Sequence, residues 1–257
     1  MADPPSQRRK RPEPQWVTDL VGAEPRVPWA GPYMAYLLLM MLTDLFPDSL
    51  TGVAISLHVV GAAWATWLVR RHWPPLGKAH SLTAVIVGLF AAWMWVAGQH
   101  WLATVDLGGH RLSEGLSLSI KPPFVGLAPA KVVSITERFP TEGLFWSHVV
   151  LKITRAVAIV PVVEELFWRG FILRAFVRWD YFDRVPLGRF TGLSFLGCSL
   201  LSVVQHPGNW GVSIVCWMLF NGLFYWRKSL LCLMITHAIT NLALYGYVVR
   251  SGDWQFW

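Results

Sequence analysis

Seven long apolar runs separated by polar connections constrain this chain more than any other feature. They cover roughly residues 30–47, 50–69, 82–103, 144–177, 190–206, 210–226 and 229–249. A helix needs about 20 predominantly apolar residues to cross a bilayer. The 144–177 run is too long for one upright crossing at about 1.5 Å per residue. Pro161, Lys152 and Arg155 within it predict an interfacial helix or short span first, then a spanning helix from about residue 156. Composition points the same way: 54% of residues are hydrophobic and 14% charged, against about a quarter charged in ordinary soluble domains. The fold class expected is all-α, a polytopic membrane helical bundle of seven to eight transmembrane helices, with no internal repeat.

The net charge of +7 does not imply a nucleic-acid partner, because the Lys and Arg residues fall between apolar runs rather than on one amphipathic surface. With the basic N-terminus on the cytoplasmic side, Arg70-Arg71, the Arg174-to-Arg189 cluster and Arg227-Lys228 lie on that side too. That satisfies the positive-inside bias at each inner loop, and a multi-pass protein of a bacterial inner membrane is expected. Trp29, Trp73, Trp101, Trp146, Trp179, Trp210 and Trp226 stand at segment borders and fit an interfacial aromatic belt, whereas Trp64 and Trp217 read as core packing. Cys198, Cys216 and Cys232 lie inside apolar runs without metal-type spacing and read as inert small hydrophobes.

Three regions are expected. Residues 1–27 form a polar, basic, disordered tail without a signal-peptide cleavage site; residues 28–142 hold the N-terminal transmembrane helices and a long connecting loop; residues 143–250 form a C-terminal catalytic helical core. The 104–142 connection is long enough to act as a lid or substrate guide, or to be a plain interfacial loop.

Within the apolar runs a few polar residues stand out. Glu164, Glu165 and Arg169 occur within six residues, and charges at mid-bilayer cost roughly 2.5–3.5 kcal/mol each on insertion scales, so they call for partners and function. Residues four apart share a helix face, so Glu165 can pair with Arg169 while Glu164 points elsewhere. Gly170 leaves room for a neighbouring helix. His206 closes the fifth run, and Pro207 after it disfavours helical backbone at His206. His237 and Asn241, four apart on the last run, can donate to one point. These are the parts for amide hydrolysis without a covalent intermediate: Glu164 as general base, His206 holding the water, His237 and Asn241 stabilising the oxyanion. Judged by depth along their helices, His237 lies about a third of the way in, Glu164 near the middle and His206 close to the outer end. The site therefore requires helix offsets or a break at His206. His58, His100 and Asp44 match nothing and read as packing or interfacial groups.

At these residues the chain resembles the CPBP family, the CAAX prenyl endopeptidases and bacteriocin-processing-type intramembrane glutamic proteases. That family's pattern is Glu-Glu-x-x-x-Arg, then Phe-x-x-x-His, then His-x-x-x-Asn on successive membrane helices. Glu164, Glu165 and Arg169 match the first element, and His237 with Asn241 the third. In the second, Ser202 stands where the family has Phe before His206, and in the first, Trp168 stands where Phe is common before Arg169. The FNGLFYWRKSLL stretch is similar to the family's penultimate helix and turn. The resemblance covers roughly residues 150–245 and implies a helical bundle with a hydrophilic cavity, glutamic peptidase chemistry, no cofactor, no metal, and a peptide or protein substrate at the bilayer. The branch associated with bacterial exosortase systems is one candidate home. Three rival readings stay open: a zinc peptidase, although no His-Glu-x-x-His occurs; a transporter or proton relay through Glu164, His206 and His237; and a catalytically silent membrane adaptor.

Overall fold

The computed structural model describes residues 13–43, 45–107, 110–111, 139 and 141–257. The helices are α1 (Gln15–Ala23), α2 (Val27–Thr43), α3 (Thr51–Val69) and α4 (Ser81–Thr104), then a long rod, then α8 (Gly192–Gln205), α9 (Trp210–Arg227) and α10 (Leu230–Ser251). The rod runs without interruption through α5 (Glu142–Thr154), a widened turn at Arg155–Ile159, α6 (Val160–Glu165), a second widened turn at Leu166–Ile172, and α7 (Leu173–Ala175). A two-residue antiparallel pairing of β1 (Asp106–Leu107) with β2 (His110–Arg111) follows α4. Each of the seven apolar runs is thus helical over most of its described residues. Three stretches, Thr51–His72, Ser81–Thr104 and Leu230–Ser251, are long and apolar enough to cross a bilayer, while Val27–Thr43 and Gly192–Gln205 are apolar but shorter.

The outer surface is that of a membrane bundle. Leu82, Ile86, Phe90 and Trp93 on α4, and Leu193, Leu196, Leu200 and Val204 on α8, are large apolar residues left exposed. A water-soluble surface rarely tolerates such stripes. Inward faces instead carry small residues that let backbones approach, as in membrane helix pairs. On α4, Ala84, Gly88, Ala91 and Ala92 are buried against α10, where Thr240 Oγ1 donates to the Gly88 carbonyl at 3.1 Å. A Cβ on Gly88 would lie 2.7 Å from the Thr236 carbonyl, so only glycine permits this approach. Gly170 accepts the Trp29 ring of α2 in the same way. The turn into α10 is fixed by Lys228 in a left-handed conformation (φ 50°) and by Ser229, whose Oγ caps Cys232 N at 3.1 Å and donates to Lys78 O at 2.7 Å.

Several expectations are corrected here. Residues of the presumed disordered tail form α1, because Val17 and Val21 share a face that packs on Leu68 and Val69. Trp29 is buried against Gly170 rather than placed in a belt, and Trp64 is exposed rather than in the core. Trp101, Trp146, Trp179 and Trp226 are exposed and Trp217 is buried. The change expected near residue 156 is a widened turn inside one rod, not the start of a separate helix. Helix α4 packs directly on α10. Asp44 and most of the 104–142 connection lie outside the described residues.

Candidate active site

The glutamate pair sits on α6 between the two widened turns. In the first of these, Val160 N bonds to Arg155 O, five residues back rather than four. That leaves the Ala156 carbonyl without its usual helical donor, and the next residue, Pro161, has no N–H to give. Asn241 of α10 fills the vacancy, its Nδ2 donating to Ala156 O at 2.7 Å. In the second widened turn Leu173 N reaches back to Trp168 O. Single widened turns of this kind recur at functional sites.

Glu165 and Arg169 form the i, i+4 pair, with Arg169 Nη1 3.2 Å from Glu165 Oε2. Both side chains are buried, at 0% and 1% exposure, which makes their mutual pairing obligatory. Arg169 Nε also donates to Asn221 Oδ1 at 3.0 Å, Asn221 Nδ2 donates to Ser199 Oγ at 3.0 Å, and the guanidinium lies 4.5 Å from the centre of the Trp217 ring. His237 joins the same carboxylate, Nδ1 standing 2.9 Å from Glu165 Oε1. Facing a carboxylate, which only accepts, Nδ1 carries the proton. The expectation that His237 and Asn241 aim at a single point is therefore corrected: these contacts direct His237 Nδ1 to Glu165 and one Asn241 N–H to Ala156 O. What remains toward the cavity is His237 Nε2 and the second Asn241 N–H.

Glu164 points away from that cluster. Its Oε1 accepts from Gln205 Nε2 at the end of α8, and Gln205 Oε1 in turn accepts from Trp168 Nε1 at 2.9 Å. His206 follows directly as the non-helical cap of α8 (φ −127°, ψ 59°), its ring edge-on to Trp95 at 5.2 Å between centroids. Ser202, in the family's Phe position, is buried with its Oγ 2.9 Å from Ser213 Oγ. Each hydroxyl thereby gains a partner in a buried position.

Glu164, Arg169, His206, His237 and Asn241 line one cavity of about 300 Å³. The shared lining answers the depth mismatch expected from the sequence, and α8, which ends at Gln205 after 14 residues, is only roughly 21 Å long. The cavity wall also includes Tyr36, Trp95, Trp217, Phe220 and Tyr245. Gln255, Phe256 and Trp257 close one side of it. This strap, beyond the expected boundary at 250, folds back after Gly252 (φ 71°) and is held by Asp253, which pairs with His100 Nε2 at 3.0 Å and accepts from Tyr247 OH at 3.2 Å. His100 is thus a strap anchor, and His58 is a buried partner of Arg155 at 3.3 Å. Cys216 lines the cavity as a free thiol.

Residues 146–243 match the family model described as Rce1-like, type II CAAX prenyl endopeptidase. The match encloses all six singled-out residues, and the Rce1-like assignment agrees with the resemblance carried by their motifs. It supports a CAAX-type intramembrane endopeptidase in general, in a membrane environment and with a protein or peptide substrate. Searches of curated proteins and of solved structures returned no match. Among the described residues, no three His, Cys, Asp or Glu side chains are gathered as a metal-binding group. Sequence reading missed Gln205, Trp168 and Asn221 as partners in the Rce1-like segment. A glutamine at the end of an apolar helix and an asparagine within FNGLF were the available signals, since buried polar groups require partners.

Proposed function

We propose that the chain is an intramembrane endopeptidase that hydrolyses a peptide bond of a membrane-associated protein or peptide with a water activated by Glu164. The observation that carries this reading is the shared cavity lined by Glu164, His206, His237 and Asn241 inside the Rce1-like segment. Glu164 acts as general base, its second oxygen left for water while Gln205 engages the first. His206, across the cavity, holds that water. His237 and the unused N–H of Asn241 meet the oxyanion, His237 donating through Nε2 only as the imidazolium, because with Nδ1–H turned to Glu165 a neutral ring would offer the oxyanion a lone pair. Glu165 and Arg169 hold His237 in place. The basic loops, with the N-terminus, lie on the cytoplasmic side of a bacterial inner membrane.

The reaction needs no metal in this reading. Purified protein in liposomes, offered membrane-anchored peptides, is expected to cleave after exhaustive chelation, with substoichiometric zinc by elemental analysis. Stoichiometric zinc, with activity lost on stripping and regained on its return, moves the chain to the zinc peptidase reading. Substrate-dependent proton flux without cleavage favours the relay reading.

A further inference from the structure

We infer that Trp168 and Gln205 form a positioning pair that fixes Glu164 in its working orientation, an inference that rests on the general-base reading of Glu164. An indole N–H only donates, so the 2.9 Å contact from Trp168 Nε1 identifies the facing atom of the Gln205 amide as its oxygen. The amide NH₂ is then turned by necessity toward Glu164 Oε1. A freely rotating amide would present acceptor and donor alternately to the carboxylate; this one presents only the donor. The indole is itself held, packed edge-on to Trp217 at 4.6 Å and to Phe167 at 4.8 Å. The chain of restraint runs from a packed ring through an oriented amide to one oxygen of the carboxylate, and the other oxygen remains for water.

The pair also accounts for the departure at Trp168. A phenylalanine there would fill similar space but give Gln205 Oε1 no donor, and a half-buried amide oxygen left without a partner in the protein is costly. Trp168 and Gln205 therefore belong together, although 37 residues separate them.

The test uses the full-length protein in detergent and liposomes, with W168F, Q205L, the double variant and E164Q. Q205L is expected to lower kcat roughly 10–100-fold, the range of a lost hydrogen bond to a charged group, with KM within about twofold. W168F is expected to lower kcat by a smaller factor, and the double variant to be no slower than Q205L, since removing Trp168 has no further effect once the amide is gone. Independent factors that multiply in the double variant overturn the pair, as does wild-type kcat in Q205L. Nitrogen-15 labelling of Trp gives a readout free of turnover: the Trp168 indole N–H resonance should move in Q205L, and an unmoved resonance also overturns the proposal. E164Q separates the two levels of the argument. If E164Q cleaves normally, the general-base reading itself fails; if E164Q is inactive while Q205L is fully active, only the positioning pair fails.

Discussion

Glu164 and Glu165 are adjacent in sequence yet have different surroundings, and that difference predicts different failures. Glu165 is enclosed by Arg169 and His237, so Glu165→Gln or Arg169→Ala leaves a buried charge uncompensated. Each should lose about 3–5 kcal/mol of stability, read as a clear fall in detergent melting temperature, together with activity. Glu164 touches a neutral amide, and Glu164→Gln preserves a comparable hydrogen bond. It should abolish turnover while melting close to wild type. Equal stability loss at both positions, with activity retained in Glu164→Gln, would assign Glu164 to structure. Four-residue spacing made the Glu165–Arg169 pair legible in the sequence. The partner of His237 was not, because the register between two helices far apart in the chain depends on how small residues such as Gly88 and Gly170 seat their neighbours.

At the level of elements, the positions of the apolar runs were readable because helix length in a membrane is set by hydrocarbon thickness. The widened turns flanking α6 were not, since an i to i+5 bond replaces an i to i+4 bond with no change in residue type. Pro161 marked the place but suggested a break, whereas Asn241 takes over the carbonyl that Pro161 cannot serve. Asn241→Ala should therefore cost about 1–3 kcal/mol through an unsatisfied buried carbonyl. Pro161→Ala returns an N–H to the rod, so the double variant should melt higher than Asn241→Ala alone. A double variant that melts no higher would show that the Asn241 contact does not serve that carbonyl. Gly88→Ala should also destabilise, because its methyl group meets backbone on α10; measured melting unchanged from wild type would contradict the close α4–α10 approach.

The polar cavity lies inside a shell of exposed apolar side chains among the described residues, and Gln255 to Trp257 of the strap line it. Removing Trp254 to Trp257 should expose the cavity thiol Cys216 to a small membrane-permeant maleimide, which is expected to react more slowly with the intact protein. Unchanged labelling rates would mean the strap does not restrict entry. Both halves of the chain contribute to the enclosure, through Tyr36 and Trp95 as well as the Rce1-like segment. The motifs alone could not reveal that, because those two residues carry no chemical signature of their own.

Peptide hydrolysis consumes water, which hydrocarbon excludes, and the brevity of α8 bears on its supply. Fourteen residues fall roughly 9 Å short of a ~30 Å hydrocarbon core. Lipid beside so short an apolar helix thins, drawing headgroups and their hydration inward. His206 caps that helix, so thinning at this end would bring water toward it. In vesicles of progressively longer acyl chains the thinning becomes costlier to maintain, and turnover should decline as the membrane thickens, with folding unaffected. On the general-base reading of Glu164, such a decline would mean that the bilayer controls how far the aqueous phase reaches the carboxylate.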